Sequence, residues 1–239
     1  MWILNAIIIE GMALLGILSI LRTRRTVVAF LAGFNTMAVV TGVYVWFGGL
    51  GPRTALVVAM VVVYLARMNW VLLVWSHQTA LAKIDEQVPI SHRMVLPIVL
   101  ANSVGWAYCL PFYFAAKNSD TLGLSAALGA GVYILGTIFH FGADYQKRLF
   151  KTREGAAGEL LDKGFWSLSR HPNYFGDFLI YVSFAIVGGN AWGAVAPLVN
   201  LLQYAFDAIP KSEKWAAERY GPRWDEYKSK TKTFVPYIV

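Results

Sequence analysis

Runs of about 20 apolar residues recur along this chain, and each is long enough to cross roughly 30 Å of hydrocarbon as a helix. Apolar residues fill 57% of the 239 positions and charged ones only 15%, more apolar surface than a soluble domain buries in one core. The bilayer therefore does part of the solvating. The runs predict seven spans, at about 2–21, 26–48, 54–76, 94–116, 120–143, 174–188 and 191–207, the last two separated by Gly188-Gly189-Asn190.

With the N-terminus outside, this count puts 18 of the 21 Lys and Arg on the cytoplasmic side. They are Arg22, Arg24, Arg25, Lys83, Arg93, the group from Lys147 to Arg170 and the group from Lys211 onward, against Arg53 and Lys117 outside and Arg67 within a span. Fusing the last two spans would put the basic C-terminal segment outside. Topology thus accounts for most of the net charge of +7, which otherwise suggests nucleic acid. The first segment lacks a basic leader and carries Glu10, so it reads as a retained helix. The expected fold class is an all-α integral membrane protein: one membrane domain, a bundle of about seven helices under a cytoplasmic cap of short helices and loops. Residues 1–143 hold spans one to five and 174–207 spans six and seven, while 144–173 and 208–239 form the cap.

Two charged, aromatic-rich segments, 144–177 and 209–239, meet the same water. Gln146 to Thr152 reads as a helical continuation of span five, Gly155 to Lys163 as a short helix, and Lys211 to Arg219 as another that stops at Gly221-Pro222.

Polar residues inside a span face a bundle interior, a cavity or a site, and the candidates are Glu10, Asn35, Tyr64, Arg67, Asn69, Asn102, His140 and Asp177. Interhelical hydrogen bonding or snorkelling accounts equally well for any one of them. The cap is denser. His140, Asp144, Arg148 and Lys151 share one face of a helix leaving the membrane, and cations there suit phosphates, although ordinary positive-inside charge also explains Lys151. SRHPNYFGD (169–177) gathers a cation, an imidazole, an amide, a phenol and a carboxylate where a membrane helix begins. Pro172 suits the first turn, whose open N–H groups favour an anion. No glycine-rich phosphate loop follows a strand, and neither a zinc spacing nor a GxSxG nucleophile is present. The single Cys109 excludes an intramolecular disulfide or a cysteine metal cluster.

These residues resemble the membrane steroid 5-alpha-reductase and sterol C14/C24-reductase superfamily, bacterial members included. The resemblance rests on Gly164-Phe165-Trp166, the run from Arg170 to Asp177, Arg219-Tyr220-Gly221 with Trp224 and Tyr227, and the terminal Pro236-Tyr237-Ile238-Val239. It implies an NADPH-dependent reductase of a carbon–carbon double bond conjugated to a ketone, acting on a steroid or sterol-like lipid such as a 3-oxo-Δ4-steroid. The implied location is the bacterial inner membrane, with nicotinamide inside the bundle and phosphates under the cap. Carried over by motif, Asp144, Arg148, Arg170, His171, Asn173, Tyr174, Asp177 and Tyr220 contact the dinucleotide, with His140 and Lys151 on the same helix face. Tyr64 matches the tyrosine that donates to a 3-keto oxygen.

Two departures stand out. Steroid 5-alpha-reductases place a Gln-Glu pair as that tyrosine's partner, where this chain reads Ala32-Gly33, leaving Asn35 or Glu10 as substitutes. Sterol reductases carry Arg-Asp-Glu where this chain has Lys211-Ser212-Glu213 in the cofactor region. The rival class is an S-adenosylmethionine-dependent membrane methyltransferase of the isoprenylcysteine carboxyl or phospholipid type, which shares an RHPxYxG motif. Asn173, Asp177 and the lack of a Glu-Glu pair at 212–213 separate the chain from it. A scaffold or transporter accounts for the intramembrane polar groups but not for the clustered cap motifs.

Overall fold

A computed structural model describes residues 1–75, 80–118, 122–155 and 158–238; the side chains of 80–83, Lys83 among them, and Val239 of the terminal motif lie outside the described residues. The described residues are helical almost throughout. Helices α1 (Trp2–Thr23), α2 (Val27–Gly48) and α3 (Pro52–Trp75) match the first three expected spans within two residues at each end. The fourth starts earlier and is broken: α4 (Ala80–Gln87), α5 (Ile90–Arg93) and α6 (Val95–Asn102) lead to a π-helical turn at Ser103–Tyr108, then α7 (Leu110–Lys117). After α8 (Leu124–Thr152) come α9 (Phe165–Leu168), α10 (Pro172–Gly188), a 3-10 turn (Ala191–Ala194) and α11 (Val195–Gln203). A second π-helical turn (Tyr204–Ala208) leads into α12 (Ile209–Tyr220) and α13 (Pro222–Lys230).

Five helices, α1, α2, α3, the Ile90–Lys117 run and α8, are long and apolar enough to cross a membrane, and the chain is a multi-pass integral membrane protein. The sixth and seventh expected spans are shorter. The 17 residues of α10 rise about 25 Å, near the lower limit for a crossing.

One further expectation is corrected. The described part of Gly155–Lys163 is not helical: Gly155 (φ 74°) and Gly158 (φ 82°) are left-handed, which ends a helix instead of starting one. The helix expected from Lys211 to Arg219 is α12, and it stops as expected at Gly221 (φ 53°), where Pro222 opens α13 at a position at which its missing N–H costs nothing.

The chain divides into two units, residues 1–126 with 184–196, and residues 127–183 with 197–239. In the first unit α1, α2 and α6 pack together, and α3 and α7 pack on α2. The buried stripe of α1 is Asn5, Ile9, Ala13, Gly16 and Ile20, spaced at one turn. Asp85 accepts from the backbone N–H (2.8 Å) and hydroxyl of Thr26 and from Arg93 (2.6 Å), which ties α4 and α5 to the α1–α2 turn.

In the second unit the α8–α10 crossing is made at backbone level: a Cβ on Gly176 would lie 2.2 Å from the backbone N of His140. The C-terminal segment then returns along the start of α10. The backbone N–H of Arg170 donates to the carbonyl of Lys232 (2.8 Å), and the Ser169 hydroxyl donates to that of Phe234 (2.8 Å). Phe234 is buried edge-on against Phe175 and Phe178.

Candidate functional site

The RHPNYFGD run occupies the turn before α10 and its first two turns, so its side chains leave the helix in several directions, each meeting a different element of the second unit. Arg170 and His171 turn toward α12. The buried guanidinium donates Nε to Glu213 Oε1 (2.8 Å) and Nη2 to Glu213 Oε2 (3.3 Å) and to Thr233 Oγ1 (2.8 Å). Its Nη1 donates to the carbonyls of Thr231 and Lys228. All five N–H donors of an arginine are thereby engaged within the protein. His171 Nε2 lies 3.0 Å from Glu213 Oε1.

Electrostatics fix the charge states here. Burial pushes the His171 imidazole below its ordinary value of 6.5, and the hydrogen bond to Glu213 only partly opposes this. For Glu213 burial also raises the carboxyl, but donors from His171 and Arg170 outweigh it and bring it down to about 2. Glu213 is therefore ionised at neutral pH and accepts both bonds, with His171 neutral and donating from Nε2.

Asn173 turns toward α8. Its Nδ2 donates to Asp144 Oδ1 (3.0 Å), and its carbonyl lies 2.9 Å from His140 Nδ1. Its own Oδ1 is buried and accepts no hydrogen bond. The amide orientation follows from Asp144: the NH2 must face the carboxylate, which leaves the oxygen pointing away.

Tyr174 and Asp177 turn toward α11. The rings of His171 and Tyr174 stack with centroids 5.3 Å apart, and Tyr174 stacks on Tyr204 at 4.5 Å and 9°. Asp177 is buried, and one of its oxygens, Oδ2, accepts from the Tyr204 hydroxyl (2.6 Å) and from Asn200 Nδ2 (3.1 Å).

Three clusters thus converge on α10: Arg170, His171 and Glu213; His140, Asp144 and Asn173; Tyr174 and Asp177. Other expected residues lie apart. Arg148 is half-buried and Lys151 exposed, one and two turns beyond Asp144 on α8. Lys211 is exposed and pairs with Asp207 of the π-helical turn that leads into α12. Tyr220 carries Arg219 over its ring at 5.4 Å at the end of α12.

In the first unit, Tyr64 is buried with its ring edge-on to Phe34 at 6.5 Å. Asn35 makes a reciprocal amide pair with Asn69, at 2.7 and 3.1 Å, joining α2 to α3. Glu10 lies outside the buried stripe of α1 and is exposed. A Cβ on Gly33 would stand 2.6 Å from the Cβ of Leu100, so the position at which the resemblance implies a carboxylate leaves no room for a side chain here.

Sequence reasoning missed Asn200 and Tyr204, which complete the Asp177 cluster, although Asn200 meets the rule of a polar group in an apolar run. It also passed over Lys147. Its ammonium lies 4.3 Å from the centre of the Trp166 ring, and Trp166 Nε1 donates to the carbonyl of Ala143 (3.1 Å).

A family model described as "Protein of unknown function (DUF1295)" matches residues 16–231. A Delta(14)-sterol reductase of Ascobolus immersus is 28% identical over 143 residues, 52% of this chain and 32% of that protein. A Delta(14)-sterol reductase of Mus musculus is 29% identical over 159 residues, 56% of this chain and 36% of its own length. The chain therefore spans about a third of the length of these two relatives. A protein-S-isoprenylcysteine O-methyltransferase of Saccharomyces cerevisiae is 29% identical over 127 residues, 53% of each chain.

Proposed function

The chain belongs to the DUF1295 family, with sequence similarity to Δ14-sterol reductases, and on that premise we propose that it is an NADPH-dependent membrane reductase. Its substrate is a lipophilic enone, a 3-oxo-Δ4-steroid or a related sterol-like lipid, and its cap faces the cytoplasm, at the inner membrane if the cell is bacterial. The observation that carries the reading is Asn173. Its amide is held by Asp144 on a helix start, yet its buried Oδ1 accepts nothing, a cost of about 1–3 kcal/mol unless a ligand donates to it. A nucleotide rich in hydroxyl and amide donors fits such an acceptor.

In this reading His140, Asp144, Asn173, Tyr174 and Asp177 hold the nucleoside, and Lys147, Arg148 and Lys151 along α8, with Lys211 and Tyr220, meet its phosphate end. Arg170, His171 and Glu213 act differently from the expectation of direct contact. The Arg170 guanidinium, His171 Nε2 and the Glu213 carboxylate are engaged with one another and with residues 228–233, so they keep the C-terminal segment closed over the site. When bound, NADPH supplies a hydride. Tyr64 donates to the substrate carbonyl, so that enolate charge meets a phenol in a dry surrounding. With Gly33 lacking a side chain and Glu10 on the outer face, the Asn35–Asn69 pair is left as the polar neighbour on α2 and α3 that fixes this part of the bundle.

The similarity to an isoprenylcysteine methyltransferase supports a second reading, in which the cap binds S-adenosylmethionine. Melting of the detergent-purified protein separates the two. A ligand at 100 times its Kd adds about 2.7 kcal/mol, a rise on the order of 5–10 °C for a chain of this size. Stabilisation by NADPH and not by S-adenosylmethionine is the expected result, and the reverse overturns the reductase assignment.

A further inference from the structure

Asn200 is 3% exposed, on α11, outside every motif that marks the site. Its Nδ2 is committed to Asp177 Oδ2 (3.1 Å), and its Oδ1 is buried without a donor. Turning the amide over would set two oxygens against each other, so Asp177 fixes which end is open. The Tyr204 hydroxyl donates to the same carboxylate oxygen at 2.6 Å, so two donors hold Asp177 Oδ2 in place. Among the described residues, buried side-chain amide oxygens without a donor lie beside α10 at Asn173, in its first turn, and at Asn200, reached through Asp177 one turn further in.

We propose that Asn200 Oδ1 receives an amide N–H from the carboxamide of the nicotinamide ring, making Asn200 a cofactor-contacting residue that recognises the reacting end of NADPH. The inference rests on the reductase reading. The reacting ring is the end of the nucleotide that must reach beyond the cap, so the deeper acceptor faces the carboxamide and the shallower Asn173 faces the ribose side. A carboxamide brings an N–H donor to an acceptor that has none. The neutral amide of Asn200, already donating to Asp177, also brings no second negative charge to the cluster.

The test compares NADPH with its reduced 3-acetylpyridine analogue, in which a methyl ketone replaces the carboxamide and the N–H donor is lost. Binding is measured on the full-length protein in detergent by ligand-dependent melting, without turnover. The parent is expected to prefer NADPH by about tenfold or more, the size of leaving a buried acceptor unpaired. In Asn200→Ala that preference falls to within about threefold, chiefly through weaker NADPH binding. Asn200→Ser serves as the second variant, since it keeps a small polar group but is too short to place an acceptor where Oδ1 stands. A merely structural role for Asn200 weakens both nucleotides equally. A variant that keeps the parent's preference overturns the assignment, as does a parent that binds both nucleotides alike. A parent stabilised by neither overturns this inference together with the reductase reading.

Discussion

Arg170 is the residue whose removal has the largest consequence that can be worked out from the structure. Arg170→Ala deletes five hydrogen bonds, two of them to an ionised carboxylate, and strips the carbonyls of Lys228 and Thr231 of a donor. Breaking a buried ion pair by removing one partner costs about 3–5 kcal/mol, and the 17% exposure of the Glu213 side chain, which lets water replace part of the loss, argues for the lower end. A cost of about 3 kcal/mol lowers the melting temperature by roughly 6–12 °C for a chain of this size. The tail should also loosen, so limited proteolysis is expected to remove the C-terminal segment from the variant before it touches the parent.

Acid provides an independent axis. Glu213 titrates near 2 when folded against an ordinary 4.5, so its stabilisation is complete above about pH 4.5 and disappears as pH falls through 2. His171, held below its ordinary 6.5, adds a loss that begins as pH drops under that value, because the unfolded chain takes up the proton first. Glu213→Gln should therefore be less stable than the parent at pH 7, with the difference closing between about pH 4.5 and 2. If Arg170→Ala melts within a degree or two of the parent and is cut no faster, the clasp is not what holds the cap.

Two other substitutions test separate parts of the reading. Gly176→Ala drives a methyl into the α8 backbone at His140 and should cost about 1–3 kcal/mol while weakening NADPH binding, whereas Gly131→Ala, exposed and with nothing within 4 Å of its would-be Cβ, should be neutral or slightly stabilising in the same melting assay. Tyr64→Phe keeps the ring and removes the donor, so turnover of an accepted enone should fall by roughly 10²–10³-fold with NADPH affinity unchanged; undiminished turnover excludes Tyr64 as the donor.

Apolar runs located α1, α2 and α3 closely because in hydrocarbon the length of a helix is set by the bilayer and its ends by the first polar residues. The break in the fourth run was not legible: a Cβ on Gly105 would lie 2.4 Å from Ile9 of α1, a tertiary contact that no local periodicity reports, and the chain there widens into a π-helical turn. The site shows the same division. The run from Arg170 to Asp177 announced itself by density of function, but its partners on α11 and α12 did not, and the second π-helical turn is the reason. Tyr204 and Glu213 are nine positions apart, which in a regular α-helix at about 100° per residue puts them on opposite faces. The turn at Tyr204–Ala208 takes up about one extra residue and rotates α12 by about 100° relative to α11, which swings Glu213 round toward the side that carries Tyr204. Only then can Tyr204 reach Asp177 and Tyr174 while Glu213 meets Arg170 and His171. A helical wheel drawn from the sequence scatters these residues. The irregular turn gathers them, and because a π-helical turn persists only where tertiary contacts support it, its start at Tyr204 of the Asp177 cluster is itself a mark of the site.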